Sequence, residues 1–260
     1  MRLSGRKTLL VIAGLLTVAL VITVTRVVSF VQTGTVVKKV FDGDSVLLSD
    51  GREVRYIGID APEVGGNRPE EYGGDEATRA NGKLVAGREV RLEFDEELMD
   101  QYNRTLAYVY VGDTFVNLEL VREGVAVVFP YRPNLRHQRE LKAAMDEARS
   151  ERRGLWADTG RWMVESDNAG KFIGQSKTVV GEVLFAQAAG PGVFLNFGDD
   201  FTTDFTAFIP KDDLVHFTQA GIADPAGAYR GRIVEVTGTI HERNGPTITV
   251  RHPDQIYVRQ

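Results

Sequence analysis

Three short β-patterned runs crowded into residues 34–60 constrain the fold of this chain more than any other feature. GTVVKKVF, SVLL and EVRYIGI alternate as strands do, with the turn signals Asp42-Gly43-Asp44 and Ser49-Asp50-Gly51 between them. Links that short make a three-strand antiparallel meander, since a parallel crossover needs a dozen residues or more. REVRLEF (88–94) and RTLAYVYV (104–111) add two further β-rich runs. Five strands so spaced predict a small barrel. Helices are expected around it at 75–85, at 116–123 with a stop at Gly124, and after Pro133-Asn134. The last of these carries Leu141, Met145 and Ala148 at helical spacing and stops at Gly154, with Leu155 and Trp156 tucking back as core.

Residues 177–260 repeat the theme. TVVGEVLFAQ, VFLNF, DFTAFIP, a short helix DDLVHFTQAG, then RIVEVTGTIHE and TITVRHP give three strands, a helix and two strands, the order of an OB-fold. The expected class is mainly β with helices (α+β), with two OB-type five-stranded barrels. The expected organisation is an N-terminal segment (1–29), a first barrel domain (30–158), a linker (159–176) lacking clear periodicity, and a second barrel (177–260). Phe194, Phe197, Phe205 and Phe208 of the second block read either as core or as a base-stacking surface.

Residues 8–25 carry no charge and follow the basic MRLSGRK, the pattern of an export signal or membrane anchor. TRVVSFVQT offers no clean small-x-small cleavage site, which favours an uncleaved transmembrane helix with residues 30–260 outside the cytoplasm. A cleaved signal would instead give a secreted protein. The first 29 residues hold four basic groups and no acid, leaving 27 basic against 36 acidic groups in the remainder. A chain that acidic is not a non-specific nucleic-acid coat, and a phosphate site on it would be local and helped by a cation. The absence of cysteine excludes disulfide frameworks and zinc ribbons, so a metal would be held by oxygen.

On EVRYIGI, period two puts Arg55 on one face with Ile57 and Ile59, where a guanidinium needs an anionic partner. Asp60-Ala61-Pro62-Glu63 follows, two carboxylates at a strand end with a proline stiffening the turn between them. Asp42-Gly43-Asp44 upstream and Asp100-Gln101-Tyr102-Asn103-Arg104 downstream add carboxylates and a second arginine. Singly, such pieces are ordinarily solvated turns and surface ion pairs.

Together, in this order, they resemble the staphylococcal nuclease (thermonuclease) family. The resemblance runs from about Thr35 to Trp156 on VFDGDSV, VRYIGIDAPE, DQYNRTLAYVY, VNLELVREG and FPYRPN. It implies a nuclease that uses Ca²⁺ to hydrolyse DNA or RNA at the P–O5′ bond, leaving 3′-phosphoryl ends. By that resemblance Asp44, Asp60 and the carbonyl of Ala61 are the calcium ligands, Arg55, Glu63 and Arg104 the catalytic set, and Tyr102 and Tyr131 the nucleotide contacts. Ala61 stands where threonine is usual, and Gln101 and Phe129 where the best-known member has lysine and tyrosine. The chemistry agrees: hard oxygen donors suit Ca²⁺, two bidentate arginines suit the charge of a five-coordinate phosphorus, and Glu63 is either general base or water-orienting group. The alternatives are a non-catalytic module on the same barrel that binds nucleic acid or protein, and a surface-anchored adhesion protein. The second block resembles OB-type nucleic-acid-binding domains in NFGDDFTTDFTAFIP and HPDQI. It holds seven basic against ten acidic groups, too few to supply much electrostatic affinity.

Overall fold

The computed structural model describes residues 31–65 and 70–259. Its first unit contains β1 (Val31–Val40), β2 (Ser45–Leu48), β3 (Glu53–Tyr56), β4 (Ile59–Asp60), α1 (Gly74–Val85), β5 (Glu89–Glu93), β6 (Thr105–Val111), β7 (Thr114–Phe115), α2 (Val116–Arg122), β8 (Val127–Val128) and α3 (Gln138–Ser150). The meander expected over 34–60 forms, β1 to β2 to β3, antiparallel throughout. β1 also pairs with β5 and β5 with β6, both antiparallel. A parallel pairing of β3 with β6 then closes a five-stranded barrel, with Val54 opposite Thr105 and Arg55 opposite Leu106. Alternation shapes β2 and β3, where Val46, Leu48, Val54 and Tyr56 fill the core, whereas β6 is buried along nearly its whole length, with Leu106 and Tyr108 joined by Ala107 and Val109. α3 buries Leu141, Ala144, Met145 and Ala148 at helical spacing. Leu155 and Trp156 tuck in behind it, tied by the N–H of Leu155 to the carbonyl of Gly124 at 2.9 Å.

The stretch expected to be a linker is instead built into the protein. It contains α4 (Thr159–Trp162) and β9 (Met163–Glu165), followed by a 3₁₀ segment over Ser166–Phe172. Trp162 is fully buried in the first core, and β9 runs parallel beside the next strand. These elements are too short to show a period in the sequence, and they exist through pairing and burial rather than local propensity.

A further β-sheet follows: β10 (Ser176–Glu182), β11 (Phe185–Ala189), β12 (Gly192–Asn196), β13 (Thr206–Pro210), α5 (Leu214–Gln219), α6 (Pro225–Tyr229), β14 (Ile233–Glu242), β15 (Pro246–Thr249) and β16 (Ile256–Val258). The run read as one strand, TVVGEVLFAQ, divides at residues 183 and 184 into β10 and β11. β11 pairs outward through β12, β13, β15 and β14 back to β10, with β13–β15 parallel, as β3–β6 are in the first unit. Phe197 and Phe205 belong to this unit's core. Phe208, buried, and Phe194, half-buried, pack on each other beside that cluster at 4.8 Å, with the Arg243 guanidinium over Phe208. The expected N-terminal transmembrane segment lies outside the described residues; among those, no helix is long and apolar enough to cross a membrane.

The turn between β1 and β2 leaves no room for a side chain. A Cβ on Gly43 would lie 2.5 Å from the Cβ of Ala61 and 2.6 Å from that of Ala77. Gly43→Ala is therefore expected to destabilise the protein by about 1–3 kcal/mol through overpacking, lowering the thermal midpoint by several degrees. Calorimetry checks this, and an unchanged midpoint would show that the turn is not packed as described.

Candidate active site

Asp44 immediately precedes β2, Arg55 lies on β3, and Asp60 ends β4, which pairs with β8 beside the barrel; the turns into β2 and out of β3 bring the three together. The Arg55 guanidinium bridges the two carboxylates: Nη1 pairs with Asp44 Oδ2, and Nη2 donates to Asp60 Oδ1 at 2.6 Å. This is the anionic partner that the strand pattern demanded. Asp44 is 4% exposed, accepting the Ser45 hydroxyl at 2.9 Å and the Ala61 N–H at 2.7 Å. The turn carrying it is held by Asn81 of α1, which donates to the Asp42 carbonyl at 2.9 Å and accepts from the Tyr56 hydroxyl at 3.0 Å.

Arg104 enters the same cleft from the start of β6. Its Nε donates to Asp100 at 2.7 Å, and the Asp100 carboxylate also accepts the N–H groups of Tyr102 and Arg104 at 2.9 Å each. Burial pushes the Asp100 carboxyl up, but these bonds outweigh it and hold it below the ordinary range. Asn103, at φ 64°, makes this tight bend. Tyr102 is largely exposed with its ring beneath Arg104, and Tyr131 is half-buried.

These side chains line one cavity of about 230 Å³. Asp44, Arg55, Asp60, Glu63, Tyr102, Arg104 and Tyr131 all contribute, so the structure brings together every site residue expected from sequence except Ala61, which is buried behind it. Sequence reasoning did not reach Glu71, Ser176 or Thr239. Thr239 also lines the cavity; Ser176 donates its hydroxyl to Asp60 Oδ2 at 2.6 Å; Glu71 accepts the N–H groups of Glu63 (3.3 Å) and Ser176 (2.8 Å). No local signal marks Ser176, since 116 positions separate it from Asp60.

The electrostatics are dominated by acids. Burial opposes charge on Arg55, but Asp44, Asp60, Asp42 and Glu63 outweigh it and hold the guanidinium above its ordinary pKa. Burial pushes the Asp44 carboxyl up; Arg55 pulls it down, and Asp42 and Asp60 push it up again. Among the described residues no group of three or more carboxylates or imidazoles forms a metal cage. Two carboxylates carrying more negative charge than one arginine neutralises are nevertheless hard oxygen donors. That donor chemistry fits a cation such as Ca²⁺, which tolerates an incomplete protein cage filled out by water.

A family model described as staphylococcal nuclease homologue matches residues 53–158. The thermonuclease of Staphylococcus intermedius is 40% identical over 124 residues, covering 46% of this chain and 74% of that protein. That of Staphylococcus hyicus is 36% identical, over 46% and 73% respectively. Endonuclease YncB of Bacillus subtilis is 34% identical over 131 residues, spanning 47% of this chain and 61% of that protein. The chain belongs to the staphylococcal nuclease family.

Glu71 gives the site a pH signature. Burial raises its carboxyl from the ordinary 4.5 to about 7, with the Ser176 N–H opposing and Asp60 adding to the rise. Between those values the folded chain keeps a proton that the unfolded chain has released, so this group's contribution to stability falls as pH rises from about 4.5 through 7. Glu71→Gln is expected to remove that slope, read as the difference between variant and wild type in urea unfolding at pH 5 to 8. A difference that stays constant with pH would contradict the assignment.

Proposed function

We propose that the chain is a nuclease that hydrolyses phosphodiesters of DNA or RNA at the P–O5′ bond, with calcium, leaving 3′-phosphoryl ends. One observation carries this reading: Arg55, Arg104 and Glu63 converge on a single cleft beside the Asp44–Asp60 carboxylate pair. The relatives' printed names, thermonuclease and endonuclease, point the same way.

The chain's own groups supply a complete set of roles. Arg55 and Arg104 present planar, bidentate donors to the phosphoryl oxygens and stabilise the extra charge that builds as water adds to phosphorus. Glu63 orients that water or takes its proton. Tyr102 and Tyr131 flank Arg104 and contact the nucleotide. Asp44 and Asp60, with the Ala61 carbonyl, would hold the calcium ion. When bound, the ion adds Lewis-acid charge at the phosphate. The basic, then uncharged, N-terminal stretch supports display of this site outside the cytoplasm, anchored or secreted. The OB-like strand order of residues 177–260 supports a nucleic-acid-guiding role for the second unit.

The test is cleavage of single- and double-stranded DNA and of RNA by the full chain, with analysis of the ends. Cleavage is expected with Ca²⁺, to stop with chelator, and to be far slower with Mg²⁺ alone, which requires a near-octahedral shell. Arg55→Lys and Arg104→Lys are each expected to lower kcat by about 10² to 10³ while changing substrate affinity much less, because lysine lacks the planar fork. Glu63→Gln is expected to lower turnover and leave binding equal or tighter, since a negative charge facing phosphate is gone. Cleavage undiminished by chelator would overturn the calcium assignment. Binding without cleavage would favour the non-catalytic module.

A further inference from the structure

Ser176 is the first residue of β10, and it reaches the first unit twice, through its hydroxyl to Asp60 at the cleft and through its N–H to Glu71. Its hydroxyl donates to Asp60 Oδ2 at 2.6 Å, within the range of a charge-assisted O–H···O⁻ bond. A hydroxyl carries one proton, so the 3.0 Å contact between Ser176 Oγ and Thr239 Oγ1 must be donated by Thr239. Thr239 is the register partner of Ser176 across β10 and β14 and itself lines the catalytic cavity. The result is a directed chain, Thr239 to Ser176 to Asp60.

The two oxygens of Asp60 are thereby distinguished. Oδ1 faces Arg55, while Oδ2 is held from the opposite side by Ser176. A second tie runs alongside: Glu71, 5% exposed, accepts the Ser176 N–H at 2.8 Å and the Glu63 N–H at 3.3 Å, and its own N–H donates to the Glu63 carbonyl at 2.9 Å. Around the same interface, Arg132 pairs with Asp213, Arg149 with Glu235 at 2.6 Å, and Gln138 with Asp254 at 2.9 Å. These contacts hold the second unit against the first, while the bonds to Glu71 and Asp60 hold Ser176 itself.

We propose that the second unit is a structural part of the catalytic centre, and that Ser176, oriented by Thr239, is a positioning residue that fixes the Asp60 carboxylate for cation binding. This rests on the calcium reading above and assigns to it a residue outside the 53–158 family match. A ligand carboxylate left to rotate would spend part of its time pointed away from the ion. Loss of a supporting hydrogen bond of this kind costs on the order of 10- to 100-fold in metal affinity.

The experiment is calcium titration calorimetry on the full chain, without substrate, for the wild type, Ser176→Ala, Ser176→Thr and Thr239→Val, with thermal melts and cleavage kinetics alongside. Ser176→Ala is expected to raise the calcium Kd by at least about tenfold. Ser176→Thr, which keeps the hydroxyl, is expected to restore affinity to within a few-fold. Thr239→Val, which leaves the serine donor in place, is expected to weaken binding less and in the same direction; it carries the test if the alanine variant does not fold. At saturating calcium, Ser176→Ala should recover most of its kcat with KM for the nucleic acid little changed. A variant whose melting point falls while its calcium isotherm matches the wild type would show a merely structural contact and overturn the proposal. A wild type that cleaves with Ca²⁺ while all variants bind it equally would overturn this inference alone. A wild type that neither binds nor uses calcium would overturn the calcium reading and this inference with it.

Discussion

The Arg55 guanidinium, set between the carboxylates of Asp44 and Asp60, is the interaction on which the rest of the site depends. It joins three separate pieces of chain: the tight turn into β2, the middle of β3 and the end of β4. Removing one member of a buried ion pair leaves an uncompensated charge and costs about 3–5 kcal/mol, whereas replacing a whole such pair with apolar groups is often neutral. A cluster that contributes little net stability, yet whose parts cannot be removed singly, suits a working site better than a scaffold. The barrel serves the cluster in turn. Its closing register sets Arg55 opposite Leu106, and so brings Arg104, just ahead of β6, to the same end of the barrel.

The excess of acid over base around Arg55 explains how an acidic chain can act on a polyanion. Nearly all the local cationic charge is spent on internal carboxylates: Arg55 on Asp44 and Asp60, and Arg104 on Asp100. Long-range attraction for nucleic acid is therefore weak, and affinity has to come mainly from contacts inside the cleft. The same charge arithmetic bears on the second unit. Its value lies less in attraction than in contact, since Ser176 and Thr239 reach the first unit's cleft through hydroxyl groups.

Much of the first unit was legible because its signals are local. Strand alternation over 34–60, the turn residues around Gly43 and Gly51, and the helical spacing of Leu141, Met145 and Ala148 each act within a few residues. Arg55 was legible for a stricter reason: a guanidinium on an apolar strand face needs an anion, and Asp60 lay five residues away. What stayed hidden depends on contacts between distant segments. β9 is three residues long and exists through its pairing with β10. The break at residues 183 and 184 follows from one long strand having to serve both ends of a sheet path. Of the four phenylalanines, Phe197, Phe205 and Phe208 are buried and Phe194 alone is half-buried, a division set by fold position. Glu71 and Ser176 carry no motif; packing alone brings them to the site.

In the proposed reaction Asp44 and Asp60 hold the cation, and Arg55, which reaches both carboxylates, serves the phosphate. Anomalous diffraction at a wavelength sensitive to calcium, from crystals of the full chain grown with Ca²⁺ and a non-hydrolysable dinucleotide, tests it most directly. The expected result is a calcium peak at the Asp44–Asp60 pair with the Arg55 guanidinium on the phosphate oxygens. A phosphate seated in the cleft with no calcium at those carboxylates, or with Arg55 still spanning both of them, would contradict it.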